Sequence, residues 1–196
     1  IILLVGGGTG MIGDPKPDVE RPLLDRDTIA ARVEKLKTQV QKLFGGIDVE
    51  VVNNADWLGK LGLIEFLRDV GKYFTVNNLV KKDAISTRME SEEGISFTEF
   101  SYSLLQAYDF WHLYTEYKCD VQIGGSDQWG NIVAGVDLIR RKENKTVYAL
   151  TIPIITDKAT GKKFGKSEGN AVWLDPGMTS PYAFYQFWLN TSDDSV

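Results

Sequence analysis

The 196-residue chain contains few of the side chains that form disulfides, zinc sites and nucleophilic triads. It has one cysteine, Cys119, and one histidine, His112. A single cysteine excludes a disulfide within the chain, which fits a reducing compartment, and zinc sites built from sets of Cys and His are excluded as well. A Ser-His-Asp triad would have to use His112, whose aromatic neighbours in the sequence favour a structural role.

Long hydrophobic runs and an excess of basic residues are also missing. No stretch reaches the roughly 18 apolar residues of a membrane-spanning helix, so we expect no membrane partner. Lysine and arginine total 22 against 27 acidic residues, which gives a net charge of −5. The chain therefore has no global basic field for a nucleic acid, and a polyanion would have to bind a local patch or a part of the protein outside this chain.

The composition that remains is that of a globular domain, with 43% hydrophobic and 25% charged residues. Because the first residue is not methionine and lies within a predicted strand, we expect a piece of a longer protein. Apolar runs predict strands at residues 1–5, 47–52, 119–123 and 147–155. Helical patterns are predicted after a cap at Asp27, at about 57–70 and 76–89, over 98–117, and from Ser126 to about residue 142. This alternation favours an α/β fold with a mostly parallel sheet.

A glycine-rich loop, GTGMIG at residues 8–13, directly follows the first strand. Its spacing matches the dinucleotide fingerprint GxGxxG, whose third glycine lies inside a helix. Here Gly13 is followed by Asp14-Pro15, where a helix cannot continue. A nicotinamide-dependent dehydrogenase is therefore the weakest alternative. Two interpretations stay open, a loop whose backbone approaches a ligand beside Asp14 and a plain Asp-Pro turn.

A lysine-rich loop, GKKFGKS at residues 161–167, resembles a P-loop but has three residues between its glycines instead of four. No strand immediately precedes it, so the backbone cradle of a P-loop is not expected. The lysines are suited to binding phosphates as mobile point charges. A solvated surface loop is the other interpretation.

Three different polar groups share one face of the long predicted helix. Tyr102, Gln106 and Asp109 follow one another at i, i+4 and i+7, which aligns a phenol, an amide and a carboxylate. Such a stripe can line a small pocket or face solvent, and the spacing alone does not choose between them.

The segment GGSDQWGN, at residues 124–131, leads from a strand end into the start of a helix. In α/β sheets this is where anions and ribose hydroxyls bind. Asp127 and Gln128 fall in the first turn, where their side chains can contact a ligand. An aspartate is also favourable there through the helix dipole alone, but the double glycine favours a binding site.

In this order the motifs resemble those of tyrosyl-tRNA synthetases of the bacterial or organellar type, which are class I aminoacyl-tRNA synthetases. The matching pieces are VGGGTGMIGDP, FTEFSYSLLQAYDF, QIGGSDQWGNI, KFGKS and SPYAFYQFW. The resemblance implies a Rossmann-like, doubly wound, mostly parallel sheet with helices on both faces, truncated at its N-terminus. Residues 1–196 would then be a partial catalytic domain with a helical connective insertion at about 57–97, without the anticodon-binding and C-terminal tRNA-binding domains.

The resemblance also implies a tyrosine site. The α-ammonium group would be held by Asp14, Tyr102 and Gln106, and the phenolic hydroxyl would be received by Asp109. Further residues match positions that line the same pocket, namely Asn54, Gln122 and Gln128.

For ATP, the resemblance implies a ribose-binding turn and a set of phosphate-binding basic residues. The turn corresponds to Gly125 and Asp127. KFGKS stands where the family has its KMSKS loop, which makes Lys163, Lys166 and Ser167 the expected catalytic residues. Arg21, in the loop after Asp14, matches a further basic residue at the phosphates. No protein-held metal is expected.

The implied activity is that of a tyrosine–tRNA ligase, a homodimer that uses tyrosine, ATP with Mg²⁺, and tRNA(Tyr) in the cytoplasm or in an organellar matrix. The HIGH motif of the family, which contributes to the phosphate site, is not in this sequence. We therefore expect the segment alone to be impaired in activation. The main alternative is a non-catalytic tyrosine-binding or dimerisation module derived from a synthetase.

Overall fold

The computed structural model describes residues 1–13, 23–81, 83–90, 94–155 and 172–191. In these ranges the strands are β1 (Ile2–Val5), β2 (Glu50–Asn53), β3 (Val121–Gly125) and β4 (Tyr148–Ile152). The helices are α1 (Arg26–Leu43), α2 (Ala55–Leu58), α3 (Leu63–Asp69), α4 (Val76–Leu79), α5 (Asp83–Glu90), α6 (Phe97–Tyr117), α7 (Trp129–Glu143) and α8 (Pro181–Asn190). Single 3₁₀ turns occupy Thr9–Met11, Gly71–Tyr73 and Ser126–Gln128. The order of strands and helices is as predicted, but the single helices predicted at about 57–70 and 76–89 are each divided in two, into α2 and α3 and into α4 and α5.

Strands β1 and β2 pair in parallel, with a register that runs from Ile2 opposite Glu50 to Val5 opposite Asn53. In the described residues, β3 and β4 form a second two-stranded sheet. Because β1 and β2 end at the same level, the loops that follow them emerge side by side. This edge of the sheet is where the candidate site is built.

Helix α1 is capped by Asp25, so the predicted cap at Asp27 is wrong by two residues. The backbone N–H of Thr28 donates to Asp25 Oδ1 at 2.8 Å, and the Thr28 hydroxyl donates to Oδ2 at 2.7 Å. The hydrogen bond from the Thr28 backbone is the main reason why the pKa of Asp25 is lowered. Asp27 lies inside the first turn, where its charge is favourable next to the helix N-terminus.

Helices α6 and α7 pack closely in the centre of the chain. Helix α6 begins with a capping box in which Ser96 and Glu99 exchange hydrogen bonds. Further along it, the fully buried Phe110 packs with Ile139 of α7 and with Val147. A Cβ atom added to Gly135 of α7 would lie 2.9 Å from Phe110 Cβ, so glycine permits this close approach. The packing fixes the orientation of α6, which holds the predicted polar stripe.

The chain divides into two compact units, Ile1–Gln122 with Trp129–Leu150, and Ile123–Gln128 with Thr151–Val196. The first unit contains β1, β2 and the helices α1 to α7. The second contains α8, whose aromatic rings make edge-to-face contacts with one another. Of the helices in the described ranges, none offers the long apolar run that a membrane crossing requires.

Candidate active site

The glycine loop after β1 lies against two consecutive asparagines at the end of β2. The backbone N–H of Gly7 donates to Asn53 Oδ1 at 3.1 Å, and that of Gly8 donates to Asn54 Oδ1 at 2.7 Å. A Cβ atom on Gly7 would lie 2.3 Å from Asn53 Oδ1, so no larger residue fits there without displacing Asn53. The parallel register of β1 and β2, which places Val5 opposite Asn53, brings these four residues together.

The same loop does not adopt the geometry of a dinucleotide fingerprint. Its central residues form the 3₁₀ turn Thr9–Met11, and Gly13 N–H donates to the Thr9 carbonyl at 2.8 Å. Gly13 itself has φ of 74°, in the left-handed region that favours glycine. The third glycine therefore ends the turn and does not lie within a helix. This geometry agrees with the prediction from Asp14-Pro15 that the loop is not the dinucleotide site of a dehydrogenase.

A buried carboxylate, Asp109 of α6, is the centre of the site. Only 1% of Asp109 is exposed. Its Oδ2 accepts a hydrogen bond from Asn54 Nδ2 at 2.8 Å, and its Oδ1 accepts one from Trp57 Nε1 at 2.7 Å. Asn54 Nδ2 also donates to the Thr9 hydroxyl at 3.0 Å. Asp109 of α6 thus accepts one hydrogen bond from the residue after β2 and one from α2, and Asn54 connects it to the loop after β1.

Burial dominates the electrostatics of this acid. It raises the pKa of Asp109 to about 7, against the lowering effect of the hydrogen bonds from Asn54 and Trp57. Among the described residues, no lysine or arginine forms an ion pair with it. Each carboxylate oxygen accepts one of these two hydrogen bonds and has a second lone pair. Asp109 is therefore a buried acceptor with capacity for a further donor, such as a hydroxyl group.

The other residues of the first unit that were predicted for the tyrosine site, and that the structure describes, lie on α6 and β3. Tyr102 and Gln106 are partly buried on the helix that also holds Asp109, one and two turns apart, as the spacing predicted. The Oε1 atom of Gln122 is buried and has no hydrogen-bond partner among the described residues. An amide oxygen in that state favours a ligand that brings its own donor.

The predicted ribose turn belongs to the second unit. A Cβ atom on Gly125 would lie 2.8 Å from Asp127 Oδ1, so the structure brings these two residues together. Gln128 ends the adjoining 3₁₀ turn. The remaining predicted site residues lie outside the described residues, namely Asp14, Arg21, Lys163, Lys166 and Ser167.

Of the two described residues that donate directly to Asp109, sequence reasoning missed one, Trp57. Its position three residues after Asn54, directly behind a strand end, was the available signal, but a tryptophan at the start of a helix also fits a core position. The structure gives it both roles, because it is 8% exposed, packs on Leu113 and donates to Asp109. Its indole also stacks on the imidazole of His112, with ring centroids 4.3 Å apart.

The chain is similar to named proteins along its whole length. A tyrosine–tRNA ligase of Anaeromyxobacter dehalogenans is 57% identical over 199 residues, which cover 100% of this chain and 47% of that protein. The chain thus spans about half the length of the curated relatives it matches. A C-terminally truncated mitochondrial tyrosyl-tRNA synthetase of Coccidioides posadasii matches with a TM-score of 0.76 at 29% identity, over 98% of this chain and 58% of that one. The corresponding enzyme of Aspergillus nidulans gives 0.75 at 31%, over 98% and 59%.

These similarities confirm the predicted α/β, Rossmann-like fold of class I synthetases. They also agree with a site in which polar side chains gather at the carboxyl ends of parallel strands. The family model described as tRNA synthetases class I (W and Y) matches residues 1–196, and the chain belongs to that family.

Proposed function

We propose that the protein containing this chain is a tyrosine–tRNA ligase. It activates tyrosine with ATP to tyrosyl-adenylate and pyrophosphate, and then transfers the tyrosyl group to tRNA(Tyr). The proposal rests chiefly on the buried Asp109, which Asn54 and Trp57 hold as a hydrogen-bond acceptor. The names of relatives that are 53–57% identical over the whole chain support it.

Asp109 supports selection of tyrosine over phenylalanine. The phenolic hydroxyl of tyrosine can donate to a remaining lone pair of the carboxylate. Phenylalanine has no hydroxyl, so it would leave this lone pair without a donor and displace any water from it. A site whose polar groups bond to a ligand's hydroxyl strongly rejects the analogue that lacks this hydroxyl. An apolar pocket discriminates far less against a ligand that has an additional hydroxyl. Tyrosyl-tRNA synthetases are themselves the standard example of this effect.

We propose that the amino-acid end of tyrosine is bound by the residues on the same face of α6. Tyr102 and Gln106 lie two turns and one turn before Asp109, and by the resemblance to the family they would contact the α-ammonium group together with Asp14. Asn54, Gln122 and Gln128 would line the remainder of the pocket. The unpaired Oε1 of Gln122 supports this arrangement, since an ammonium group brings several donors.

The activation step needs no covalent enzyme intermediate. A carboxylate oxygen of tyrosine bonds to the α-phosphorus of ATP while the bond to the bridging oxygen breaks, and pyrophosphate leaves with that electron pair. Catalysis then depends on positioning and on neutralising charge. Gly125 and Asp127 would hold the ribose, and the phosphates would contact Arg21, Lys163, Lys166 and Ser167.

We propose that Mg²⁺ enters with ATP, bound to its phosphates. In the ranges that the structure describes, no three side chains of Asp, Glu, His or Cys gather to hold a metal. Mg²⁺ is usually bound by phosphate oxygens together with water molecules. The phosphates of ATP would therefore provide its ligands.

We also propose a cytoplasmic homodimer in which residues 1–196 are part of the catalytic domain, with residues 57–97 as a helical connective insertion. Helices α3 and α4 in that insertion expose large apolar side chains. Leu63 is 70% exposed, Ile64 74% and Val76 61%. A second copy of the chain would remove these side chains from water.

The test is ATP–pyrophosphate exchange catalysed by the whole protein, with tyrosine or phenylalanine as the amino acid. Tyrosine-dependent exchange and aminoacylation of tRNA(Tyr), with little exchange for phenylalanine, is the expected result. Tyrosine binding without any exchange would instead identify the non-catalytic binding module. Binding of neither amino acid would overturn the assignment.

A further inference from the structure

Helix α6 holds the Trp57 ring at two points. At the edge of the indole, Nε1–H donates to Asp109 Oδ1 at 2.7 Å. On its face, the imidazole of His112 stacks with a centroid distance of 4.3 Å and an interplanar angle of 24°. Asp109 and His112 are three residues apart, so they share one face of α6. A rotation of the indole away from His112 would therefore also move its N–H away from the acid.

The helix that contains Trp57 does little to fix the ring by itself. Helix α2 has four residues and ends at Gly59, and so short a helix has almost no stability of its own. The ring is placed by what packs on it, namely Val52, Leu113 and His112. Of these, the imidazole is the aromatic ring in stacking contact, and stacked aromatic pairs have a preferred offset geometry that aliphatic contacts lack.

We propose that His112 is a positioning residue, which by stacking on Trp57 holds the indole N–H against Asp109 and so sets the strength of this acceptor. His112 itself contacts neither tyrosine nor ATP in this account. The link to tyrosine recognition rests on the proposed function, whereas the link to Asp109 rests on the contacts alone.

The surroundings of His112 favour the neutral form of its imidazole. Burial lowers its pKa, while the charge of Glu116, one turn further along α6, opposes that shift. Two more rings face it, those of Tyr108 and Tyr117, each with a centroid 6.3 Å away. Burial thus favours an uncharged imidazole, which acts through its ring. The groups in contact with Asp109 are neutral as well, since Asn54 and Trp57 do not titrate in this range.

The experiment compares two substitutions of His112 in the whole protein. His112→Ala removes the stacked ring, and His112→Phe keeps an aromatic ring without a titratable group. Tyr114→Ala is the matched control, because Tyr114 is an aromatic residue of α6 that packs on a different cluster, around Phe110 and Ile139. Circular dichroism establishes that each variant is folded.

The first measurement is the pKa of Asp109 in the ligand-free protein, followed by ¹³C NMR of the aspartate carboxyl groups and assigned with Asp109→Asn. A weaker bond from Trp57 disfavours the ionised acid, so His112→Ala should raise the midpoint by roughly half to one pH unit. His112→Phe and Tyr114→Ala should leave it near the wild-type value.

The second measurement is the ratio of tyrosine to phenylalanine affinity by calorimetry, which should fall about 3- to 10-fold in His112→Ala and recover in His112→Phe. An unchanged Asp109 midpoint in His112→Ala would overturn the proposal. An equal shift in both His112 variants would also overturn it, since an aromatic ring at this position would then not be what holds the indole. If the wild-type protein binds no tyrosine, the proposed function fails, but the ligand-free titration still decides the role of His112.

Discussion

Asn54 donates a hydrogen bond from Nδ2 to Oδ2 of Asp109 at 2.8 Å, although 55 positions separate them in the sequence. The oxygen of the same amide accepts the backbone N–H of Gly8 at 2.7 Å. One fully buried side chain therefore ties the glycine loop to the acid that we propose binds the phenol. The position of that acid depends on Asn54 as much as on α6.

The first prediction concerns Asn54→Ala. The change leaves Gly8 N–H without its acceptor and deprives Asp109 of a donor, so we expect a loss of about 3 kcal/mol in the free energy of unfolding. Equilibrium unfolding in urea measures it. Asn77→Ala, at an exposed position of α4, is the control and should change stability by less than about 0.5 kcal/mol. Equal losses in the two variants would show that the buried network contributes nothing.

A second prediction follows from the ionisation of Asp109. Its pKa is about 7 in the folded protein and near 4 in an unfolded chain, so between these values the folded state binds the additional proton. The contribution of Asp109 to stability is therefore greatest below about pH 4. It falls as the pH rises to about 7, by at most about 1.4 kcal/mol per pH unit, and is constant above that.

Urea unfolding at several pH values, in wild type and in Asp109→Asn, isolates this contribution as the difference between the two curves. We expect the advantage of the wild type over the variant to shrink from pH 5 to pH 7. A difference that stays constant over this range would mean that Asp109 is ionised at an ordinary pKa, and a growing difference would likewise contradict a raised pKa.

The third prediction uses two glycines of α7 as a matched pair. A methyl group on Gly135 would lie 2.9 Å from Phe110, whereas one on Gly130 would have no neighbour within 4 Å. We expect Gly135→Ala to destabilise the protein by roughly 1–3 kcal/mol through overpacking. Gly130→Ala should be neutral or stabilise it by up to about 1 kcal/mol, since alanine favours a helix. Thermal unfolding compares them, and similar melting temperatures would contradict the packing of α6 on α7.

The fourth prediction concerns Lys166, which lies outside the described residues. If its charge stabilises the leaving pyrophosphate, Lys166→Ala should reduce the rate of tyrosyl-adenylate formation far more than tyrosine affinity, by roughly 100-fold or more. Pre-steady-state kinetics of the whole protein separate the two quantities. Lys145→Ala, at an exposed site, is the control. Weaker tyrosine binding with an unchanged rate would show that Lys166 does not act in catalysis.

Local patterns in the sequence predicted the elements well, because each pattern depends on neighbours along the chain. The alternation of strands and helices is confirmed, as is the long helix that places Tyr102, Gln106 and Asp109 on one side. The predicted cap at Asp27 was wrong because both Asp25 and Asp27 suit a helix start, and only the hydrogen bonds to Thr28 distinguish them.

The site itself was predicted only in part, since its contacts depend on how distant elements pack. The spacing left open whether the α6 stripe faces solvent or a pocket. The burial of Asp109 excludes solvent for the acid, and the pocket stays a prediction. No local rule connects Asn54 to Asp109, because their contact requires α6 to lie over the end of β2. Trp57 was missed for the same reason, since its hydrogen bond to Asp109 is visible only in the folded chain.

The central claim is that Asp109 is the acceptor for the phenolic hydroxyl of tyrosine. The most direct test is calorimetric titration of the wild type and of Asp109→Asn, each with tyrosine and with phenylalanine. A hydrogen bond to a charged group contributes about 1.5–3 kcal/mol, so the variant should bind tyrosine about 10- to 100-fold more weakly, with phenylalanine affinity unchanged or improved. Asp120→Asn, at an exposed position, should match the wild type. Undiminished tyrosine affinity in Asp109→Asn, or an equal loss for both amino acids, would contradict the account.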